Sequence, residues 1–314
     1  MLVKIKPFVP LLMLIVLCLA IGLIAPRFLS TANFIRMAAG ASVPLILICG
    51  MTFIILIGSI DLSAEGTLAV SAVTVGLVGQ MLGGSVWVLM VYPLAILIGG
   101  LIGCANGVVH TYLKVPSLLT SLGFGFTGLG IATLLADGGS ITITDPLLRH
   151  AVFYRLFGIP MSVWVAAVAV IIAVFIQEQT RLGRWAYVLG GGEDVAKLSG
   201  IPIRRVRIGL FAMAGAFFGL AGVILGSQLG LGQIQITSGY LFTTITAVVV
   251  GGTTLTGGVG GILNSVVGVF VIAVLANGMV LMGIPSSAQL GVQGVLTIAA
   301  VAISLDRKRM VSVK

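Results

Sequence analysis

Charged side chains are so sparse in this chain that long stretches of its sequence contain none. Residues 208–305 include no Asp, Glu, Lys or Arg, and neither do residues 66–113. Only 8% of the 314 residues are charged, compared with about 25% in an average soluble domain. A surface that faces water on all sides is therefore excluded, and the sequence predicts a protein that crosses a membrane several times.

The gaps between charges indicate how often the chain crosses. A helix needs about 20 apolar residues to span the hydrocarbon core. Six uncharged gaps are long enough, with room for one, one, two, one, one and four spans in turn: 7–26, 37–60, 66–113, 115–136, 156–177 and 208–305. Because runs such as 11–20 are apolar on every face, helices are expected rather than barrel strands. The predicted fold is all-α, a single polytopic domain over residues 1–314 with about ten transmembrane helices.

The basic residues are divided unequally between the two sides of this predicted membrane domain. With ten spans, all but four of the 17 Lys and Arg residues fall on the side of the N-terminus. The four exceptions are Arg27, Arg36, Arg149 and Arg155. Because cytoplasmic loops are enriched in Lys and Arg, both termini are predicted to be cytoplasmic. The net charge of +9 is interpreted as contact with anionic membrane lipid, and no nucleic-acid partner is expected.

A weak internal repeat relates residues 175 positions apart. Ser63 aligns with Ser238, and Gly83 aligns with Gly258. In the ten-span arrangement the two copies run in opposite directions, which predicts two inverted five-helix repeats, a common construction in transporters. The alternative is that membrane helices resemble one another by composition alone.

The sequence contains no recognisable catalytic centre. His110 and His150 have no Cys or carboxylate at metal-ligand spacing, so no metal site is predicted. The P-loop pattern G-x-x-x-x-G-K-[ST] is absent from the sequence. The chain is therefore expected to be non-catalytic, to carry no cofactor and not to hydrolyse ATP on its own.

Polar residues in or between the apolar runs are the candidates for contact with a solute. Carboxylates and amides are costly at such positions unless they face water or a partner. Asp61, Ser63, Asn106 and Asn277 are predicted, as a hypothesis, to line a translocation path, and Asn264, Gln289 and Gln293 belong to the same class. The alternatives are a plain helix-connecting turn for Asp61 and Ser63, and hydrogen bonds between helices for the amides. The glycine-rich segment 251–261, with three threonines, is either part of a polar path or a tight turn.

Residues 178–207 form the largest predicted cytoplasmic loop. Glu193 and Asp194 followed by Lys197 suit the dipole of a short helix, and Gly200 with Pro202 supplies a stop. The pattern predicts an exposed helix of about two turns in this loop.

The loop Arg181–Arg207 resembles the inner loop of the permease subunits of ribose-type ABC importers. The segments Gly58–Ser63, Gly251–Gly260 and Asn277-Gly278 resemble other parts of the same family, in its order and spacing. The resemblance covers nearly the whole chain. It implies a ten-helix permease of a bacterial inner (plasma) membrane, paired with a second permease copy or paralogue. An ABC ATP-binding subunit and a periplasmic or lipid-anchored solute-binding protein are the further partners that it implies.

The same resemblance assigns expected roles. The coupling helix that docks into the ATP-binding subunit corresponds to Glu193, Asp194, Val195, Ala196, Lys197, Leu198, Ser199 and Gly200. The implied activity is the inward passage of a ribose- or galactose-like monosaccharide by alternating access.

Departures from the family pattern leave the solute open. The family commonly continues Ile-Asp-Leu-Ser with Val-Gly, whereas Ala64, Glu65 and Gly66 follow here, and Glu-Gly is similar to nucleoside-importing relatives. The same machinery importing a nucleoside or a furanone-like signal is therefore one alternative. An ion-coupled secondary transporter or channel, which would move solute without ATP, is another.

Overall fold

The computed structural model describes residues 9–304, and most of these residues are helical. The helices are α1 (Val9–Ile24), α2 (Thr31–Leu56), α3 (Ala64–Leu82), α4 (Val91–Tyr112), α5 (Ser117–Leu135), α6 (Pro146–Phe153), α7 (Met161–Gln179), α8 (Arg181–Gly191), α9 (Glu193–Leu198), α10 (Ile203–Leu229), α11 (Tyr240–Val250), α12 (Ile262–Leu281) and α13 (Ser286–Ser304). Short 3-10 helices cover Pro26–Leu29, Val86–Met90 and Ile234–Thr237.

Several helix ends follow directly from the local sequence. Ser30, Asp145 and Thr180 precede α2, α6 and α8, and each side chain accepts a hydrogen bond from a backbone N–H of the first turn. These bonds satisfy donors that have no partner within the helix. The long helix α10 ends at Gly230, whose φ of 72° lies in the left-handed region that glycine adopts without strain.

Seven of the described helices are long and apolar enough to cross a membrane. They are α2, α3, α4 together with the preceding 3-10 turn, α5, α7, α10 and α12. Helix α1 and the segment Ile234–Val250, which contains α11, are apolar but shorter. The prediction of an all-α polytopic membrane protein is confirmed, whereas the count of ten spanning helices is not.

The two ends of the helix bundle differ. At one end, called the β1 end, the two-residue strand β1 (Ile141–Thr142) pairs antiparallel with β4 (Leu231–Gly232). A second small pair, β2 (Arg155–Leu156) with β3 (Ile159–Pro160), follows α6. Asp145 ties the loop after α3 to the start of α6, because its Oδ2 accepts a hydrogen bond from the Gly84 N–H at 2.8 Å. The opposite end, called the α8 end, carries α8, α9 and the loop 251–261.

Helices α2 and α10 form the centre of the bundle. Helix α10 packs against α2, α3 and α4, and most residues of α2 beyond Ala41 are buried. The contact with α4 is made by glycines, since a Cβ at Gly99 or Gly103 would fall on the backbone carbonyls of Gly215 and Phe211. The glycines of α4 and α10, spaced four residues apart, therefore allow the two backbones to approach closely.

The order and packing of the helices repeat along the chain. Helices α10, α11, α12 and α13 begin 169 to 176 residues after α2, α3, α4 and α5, close to the offset of 175 in the weak sequence repeat. Helix α10 packs on α3 and α4, just as α2 packs on α11 and α12. Helix α3 packs on α5 in the first half, and α11 packs on α13 in the second. Two halves of similar construction therefore build the domain.

The α4–α10 contact gives a prediction about stability. Gly103→Val is expected to lower the free energy of unfolding by about 3 kcal/mol, because the new side chain overlaps the Phe211 carbonyl and forces the helices apart. Thermal unfolding of the detergent-solubilised chain measures the change. Gly100→Ala is the matched control, since its Cβ would lie 3.6 Å from the Ala212 oxygen, an ordinary contact. Equal losses in both variants would contradict the close approach of α4 and α10.

Candidate functional site

Between α2 and α3 the chain runs into the bundle as a non-helical segment. In residues 57–63, the Ile60 N–H donates to the Ser117 hydroxyl at 3.3 Å, and the Ser121 hydroxyl donates to the Ile60 carbonyl at 3.3 Å. Two residues later, the Leu62 carbonyl lies against Gly125. Ser117 begins α5 and Gly125 is about two turns further on, so α3 starts about 12 Å along α5. The segment 57–63 is therefore a non-helical stretch inside the bundle, held by hydroxyl groups of α5.

Three of the four predicted path residues meet at the start of α3. The Asp61 Oδ1 accepts hydrogen bonds from the Ser63 N–H at 2.8 Å, the Ser63 hydroxyl at 2.6 Å and the Asn106 amide at 3.3 Å. All three side chains are buried. The Asp61 Oδ2 and the Asn106 Oδ1 accept no hydrogen bond from the residues that the structure describes. The contacts join the turn before α3 to α4.

Asn277 lies in a different contact. Its amide group and that of Asn33 exchange two hydrogen bonds, at 2.8 and 3.1 Å, and Asn33 also donates to the Phe28 carbonyl. This pair links the first turn of α2 to α12. Asn277 also lines a cavity, so it has both a helix-linking contact and access to open space.

Two neighbouring cavities lie among α2, α11, α12 and α13. The larger has a volume of about 340 Å³ and the smaller about 250 Å³, and both reach Ile272, Ala276 and Gln293. Small-molecule sites commonly enclose about 300–1,000 Å³. The polar residues that line the two cavities are Arg36, Thr243, Thr246, Asn277, Ser286, Gln289 and Gln293. Amides and hydroxyls dominate this polar lining, as suits a neutral solute with several hydroxyl groups.

The amides that line these cavities were predicted from the sequence, whereas the other polar lining groups were not. Asn277, Gln289 and Gln293 belong to the class singled out in the sequence, whereas Thr243 and Arg36 were not predicted. Threonine is frequent in helices as a packing residue, so its type alone carries little signal. The position of Thr243 one turn into an 11-residue helix becomes visible only when α11 is seen to start inside the bundle.

The loop 251–261 uses its hydroxyl groups on its own backbone. The Thr253 Oγ1 is buried and accepts from the Gly261 N–H at 3.2 Å, and the Thr254 hydroxyl lies 3.3 Å from the Gly257 carbonyl. The Gly258 N–H donates to the Leu56 carbonyl at 2.8 Å. These contacts favour the tight turn over the polar path among the two readings of this segment.

Two helices occupy the predicted loop 178–207. The amphipathic helix α8, which was not predicted, buries Ala186 and Leu189. The Tyr187 hydroxyl of α8 donates to the Gly260 carbonyl at 2.7 Å, and a Cβ at Gly190 would overlap the Leu56 carbonyl. Helix α8 therefore packs tightly on the loop 251–261 and the end of α2.

Helix α9 has six residues, close to the predicted two turns. It ends because Ser199 is its C-cap and Gly200 has a φ of 70° in the left-handed region. Ala196 is buried, whereas Leu198 is 90% exposed and Val195 is 58% exposed. Apolar side chains that stand out from a short surface helix are a feature of docking surfaces.

An ion pair ties α9 to α10. The Arg207 guanidinium donates a hydrogen bond to the Glu193 Oε2 at 2.7 Å, and the Lys197 ammonium lies 3.4 Å from the Glu193 Oε1. The hydrogen bond from Arg207 holds the pKa of Glu193 below its ordinary value. The pair is therefore complete at neutral pH and is lost only as the pH falls through that lowered pKa. Because Glu193 is partly exposed, water screens the pair, and its main effect is geometric.

The buried Asp61 gives a second prediction. Asp61→Ala leaves the Ser63 and Asn106 donors without an acceptor, so the free energy of unfolding should fall by about 2 kcal/mol or more. Thermal unfolding in detergent measures the loss. Asp61→Asn keeps an acceptor oxygen and should lose about half as much or less. If the Ala and Asn variants unfolded at the same temperature as the original chain, the hydrogen bonds to Asp61 would not support α3.

Comparisons with known proteins assign the chain to a family. Residues 33–301 match the family described as a branched-chain amino acid transport system / permease component. The chain is 33% identical over 293 residues to the ribose import permease protein RbsC of Haemophilus influenzae, covering 92% of this chain and 90% of that protein. It is also 33% identical to RbsC of Bacillus subtilis, covering 98% and 93% of the two chains.

A further relative is the L-arabinose transport system permease protein AraH of Escherichia coli, 32% identical with coverage of 91% of this chain and 86% of that protein. No solved structure matches the chain. These relatives are translocation components, and together with the seven apolar helices they support a multi-pass protein of the inner membrane. The family match covers far more than half of the chain, and its range includes the segments 58–63, 181–207, 251–260 and 277–278 on which the resemblance was based. The chain belongs to the family of permease subunits of ribose-type ABC importers.

Proposed function

We propose that this permease passes a neutral monosaccharide inward by alternating access, as one of two permease copies or paralogues around a central path. The observation that carries the proposal is the pair of cavities lined by Asn277, Gln289, Gln293 and Thr243. Amides and hydroxyls both donate and accept hydrogen bonds, so they match sugar hydroxyl groups without needing a counter-ion. The relatives are named for ribose and L-arabinose, which favours a pentose as the solute.

Energy is proposed to come from a separate ABC ATP-binding subunit that docks on α9, the coupling helix. The exposed Val195 and Leu198, beside the almost fully exposed Asp194, form a small mixed surface suited to a groove on that subunit. The ion pair between Glu193 and Arg207 supports this role, because it joins α9 directly to α10 and can carry a displacement of α9 to that helix. Ser199 and Gly200 complete the docking element by ending the helix.

The same assignment orients the chain. An ATP-binding subunit lies in the cytoplasm, so the α8 end is proposed to be cytoplasmic and the β1 end to face a periplasmic or lipid-anchored solute-binding protein. The excess of Lys and Arg that the sequence places on the side of both termini and of α8 and α9 supports this orientation. Both termini are then cytoplasmic, and residues 1–314 are proposed to form one permease domain.

Reconstitution with the partners tests the solute and the energy source together. The permease and the ATP-binding subunit are reconstituted into proteoliposomes, with the binding protein on one side of the membrane and ATP on the side of the ATP-binding subunit. Labelled ribose, L-arabinose, galactose or a nucleoside is then added on the side of the binding protein. ATP-dependent uptake of a pentose is the expected outcome. Uptake that proceeds without ATP or without the ATP-binding subunit would contradict the proposal and favour an ion-coupled transporter. Preference for a nucleoside would overturn the assigned solute.

The exposed Leu198 gives a prediction for the coupling helix. Leu198→Asp is expected to weaken docking of the ATP-binding subunit by about 2 kcal/mol, roughly thirtyfold, because it places a charge in an apolar contact. Co-purification of the two subunits and ATP-driven uptake should both fall. Thermal unfolding of the permease should not change, since this side chain is 90% exposed. Leu198→Met is the matched control and should retain uptake, and a fully active Leu198→Asp would place the docking surface elsewhere.

A further inference from the structure

The carboxylate of Glu65 takes no part in the hydrogen bonds around Asp61, and Glu65 does not line either of the two cavities. Glu65 lies in the first turn of α3, and its Oε1 accepts hydrogen bonds from the Gly239 N–H at 2.9 Å and the Leu241 N–H at 3.3 Å. Gly239 is the N-cap residue of α11 and has no side chain with which to cap that helix. Glu65, in the first half of the chain, therefore supplies the cap of a helix in the second half.

Contacts along α3 place Glu65 near the middle of the membrane. Gly66 packs on Gly125, about 12 Å from the start of α5, and Gly76 packs on Ile141 of β1, about 15 Å further along α3. These two distances together are close to the thickness of a hydrocarbon core, about 30 Å. Glu65 therefore lies at a depth where a charged group must face water or a polar partner rather than lipid.

The second oxygen of Glu65 is not used by the fold. Its Oε2 accepts no hydrogen bond from residues 9–304, and the side chain is only partly buried. The first oxygen is fixed by two backbone donors, so the direction of the carboxylate is set. The Glu65 Oε2 can therefore accept hydrogen bonds in a fixed direction near the middle of the membrane. Such an acceptor requires a polar surrounding on its exposed side.

A chain of hydrogen bonds leads from Glu65 to the larger cavity. The Gly239 carbonyl accepts from the Thr243 hydroxyl at 2.8 Å, and the Thr243 oxygen accepts from the Gln293 amide at 3.1 Å. Thr243 and Gln293 both line the cavity of about 340 Å³. Glu65 is therefore connected to the cavity lining through the first turn of α11.

We propose that Glu65 is a specificity-determining residue of the translocation path. While α11 holds Oε1, Oε2 accepts hydrogen bonds from hydroxyl groups of the passing solute. The negative charge at the same point repels anionic solutes, so phosphorylated sugars are rejected although their hydroxyl groups would fit. This inference rests on the proposed function, the passage of a neutral sugar, and adds the residue that selects for neutrality.

Accessibility to thiol reagents tests where Glu65 lies. Glu65→Cys is made in a chain whose three native cysteines (Cys18, Cys49 and Cys104) are replaced by Ala, and the complete transporter is exposed to a membrane-impermeant methanethiosulfonate. We expect Cys at position 65 to react and saturating sugar to slow the reaction. Thr67→Cys, 1% exposed, and Leu101→Cys, an apolar position 60% exposed, are the controls that should not react. A position 65 as unreactive as these controls, in a complex that retains its ATPase, would overturn the proposal.

The charge is tested by a variant that keeps the cap. Glu65→Gln retains an acceptor oxygen for the Gly239 N–H, so thermal stability should be preserved, while sugar uptake below saturation should fall about tenfold. A reporter cysteine at Thr243 is then treated with a cationic and with an anionic reagent of the same size, and the ratio of the cationic to the anionic rate includes a fixed contribution from Arg36, which lines the same cavity. Glu65→Gln should reduce this rate ratio at least threefold. An unchanged ratio, or unchanged uptake, would overturn the role of Glu65.

The reagent rates separate this inference from the proposed function. They depend on the position and charge of Glu65 and not on which solute is carried. A complex that takes up none of the neutral sugars, but shows the expected rates, would contradict the proposed solute and support the placement of Glu65 in an aqueous path. Normal sugar uptake with Cys at position 65 unreactive would retain the function and remove Glu65 from the path.

Discussion

Every backbone N–H and C=O in the hydrocarbon core has to find a partner within the protein, because lipid offers none. Long helices meet this requirement by themselves, but this chain interrupts them twice inside the bundle, at 57–63 and 230–239. The first interruption is held by hydroxyl groups of α5 and by Asp61. The second is held by the β1–β4 pair and by Glu65. Asp61 and Glu65, two carboxylates in an apolar sequence, thus both lie at the start of α3 and support a helix start.

Helix α10 connects the surface of the protein to its interior. At the α8 end it receives the ion pair from Glu193, and over its length it packs on α2, α3 and α4. The glycine contacts with α4 are tightly packed, since the two backbones touch at Gly99 and Gly103. In the proposed coupling role, a displacement of α9 is passed to a packed group of helices rather than to one side chain. Interiors packed at this density transmit displacement instead of absorbing it.

Much of the architecture could be predicted from the position of charges, and much of the site could not. The uncharged gaps located the apolar helices, and the offset of the weak repeat reappears in the helix order. Asp61, Ser63 and Asn106 were predicted as one set and do meet, because polar groups buried in an apolar bundle are stable only when they are hydrogen-bonded. Asn277 pairs instead with Asn33, and Glu65 caps a helix that begins 175 positions later, contacts that no local pattern contains. Helix α8 was not predicted, since it has only 11 residues and lies within a segment treated as a loop because of its charges.

The cap that Glu65 gives to α11 has a consequence for how the protein is made. The chain is synthesised from its N-terminus, so α3 and its carboxylate are in the membrane long before α11 leaves the ribosome. Helix α11 has 11 residues, about 16 Å, which is too short to cross the core alone. In the folded protein, α11 is therefore supported by a carboxylate that the first half supplies. The two halves are alike in construction but differ in their order of synthesis, and the half that is made first supplies the cap for a helix of the second.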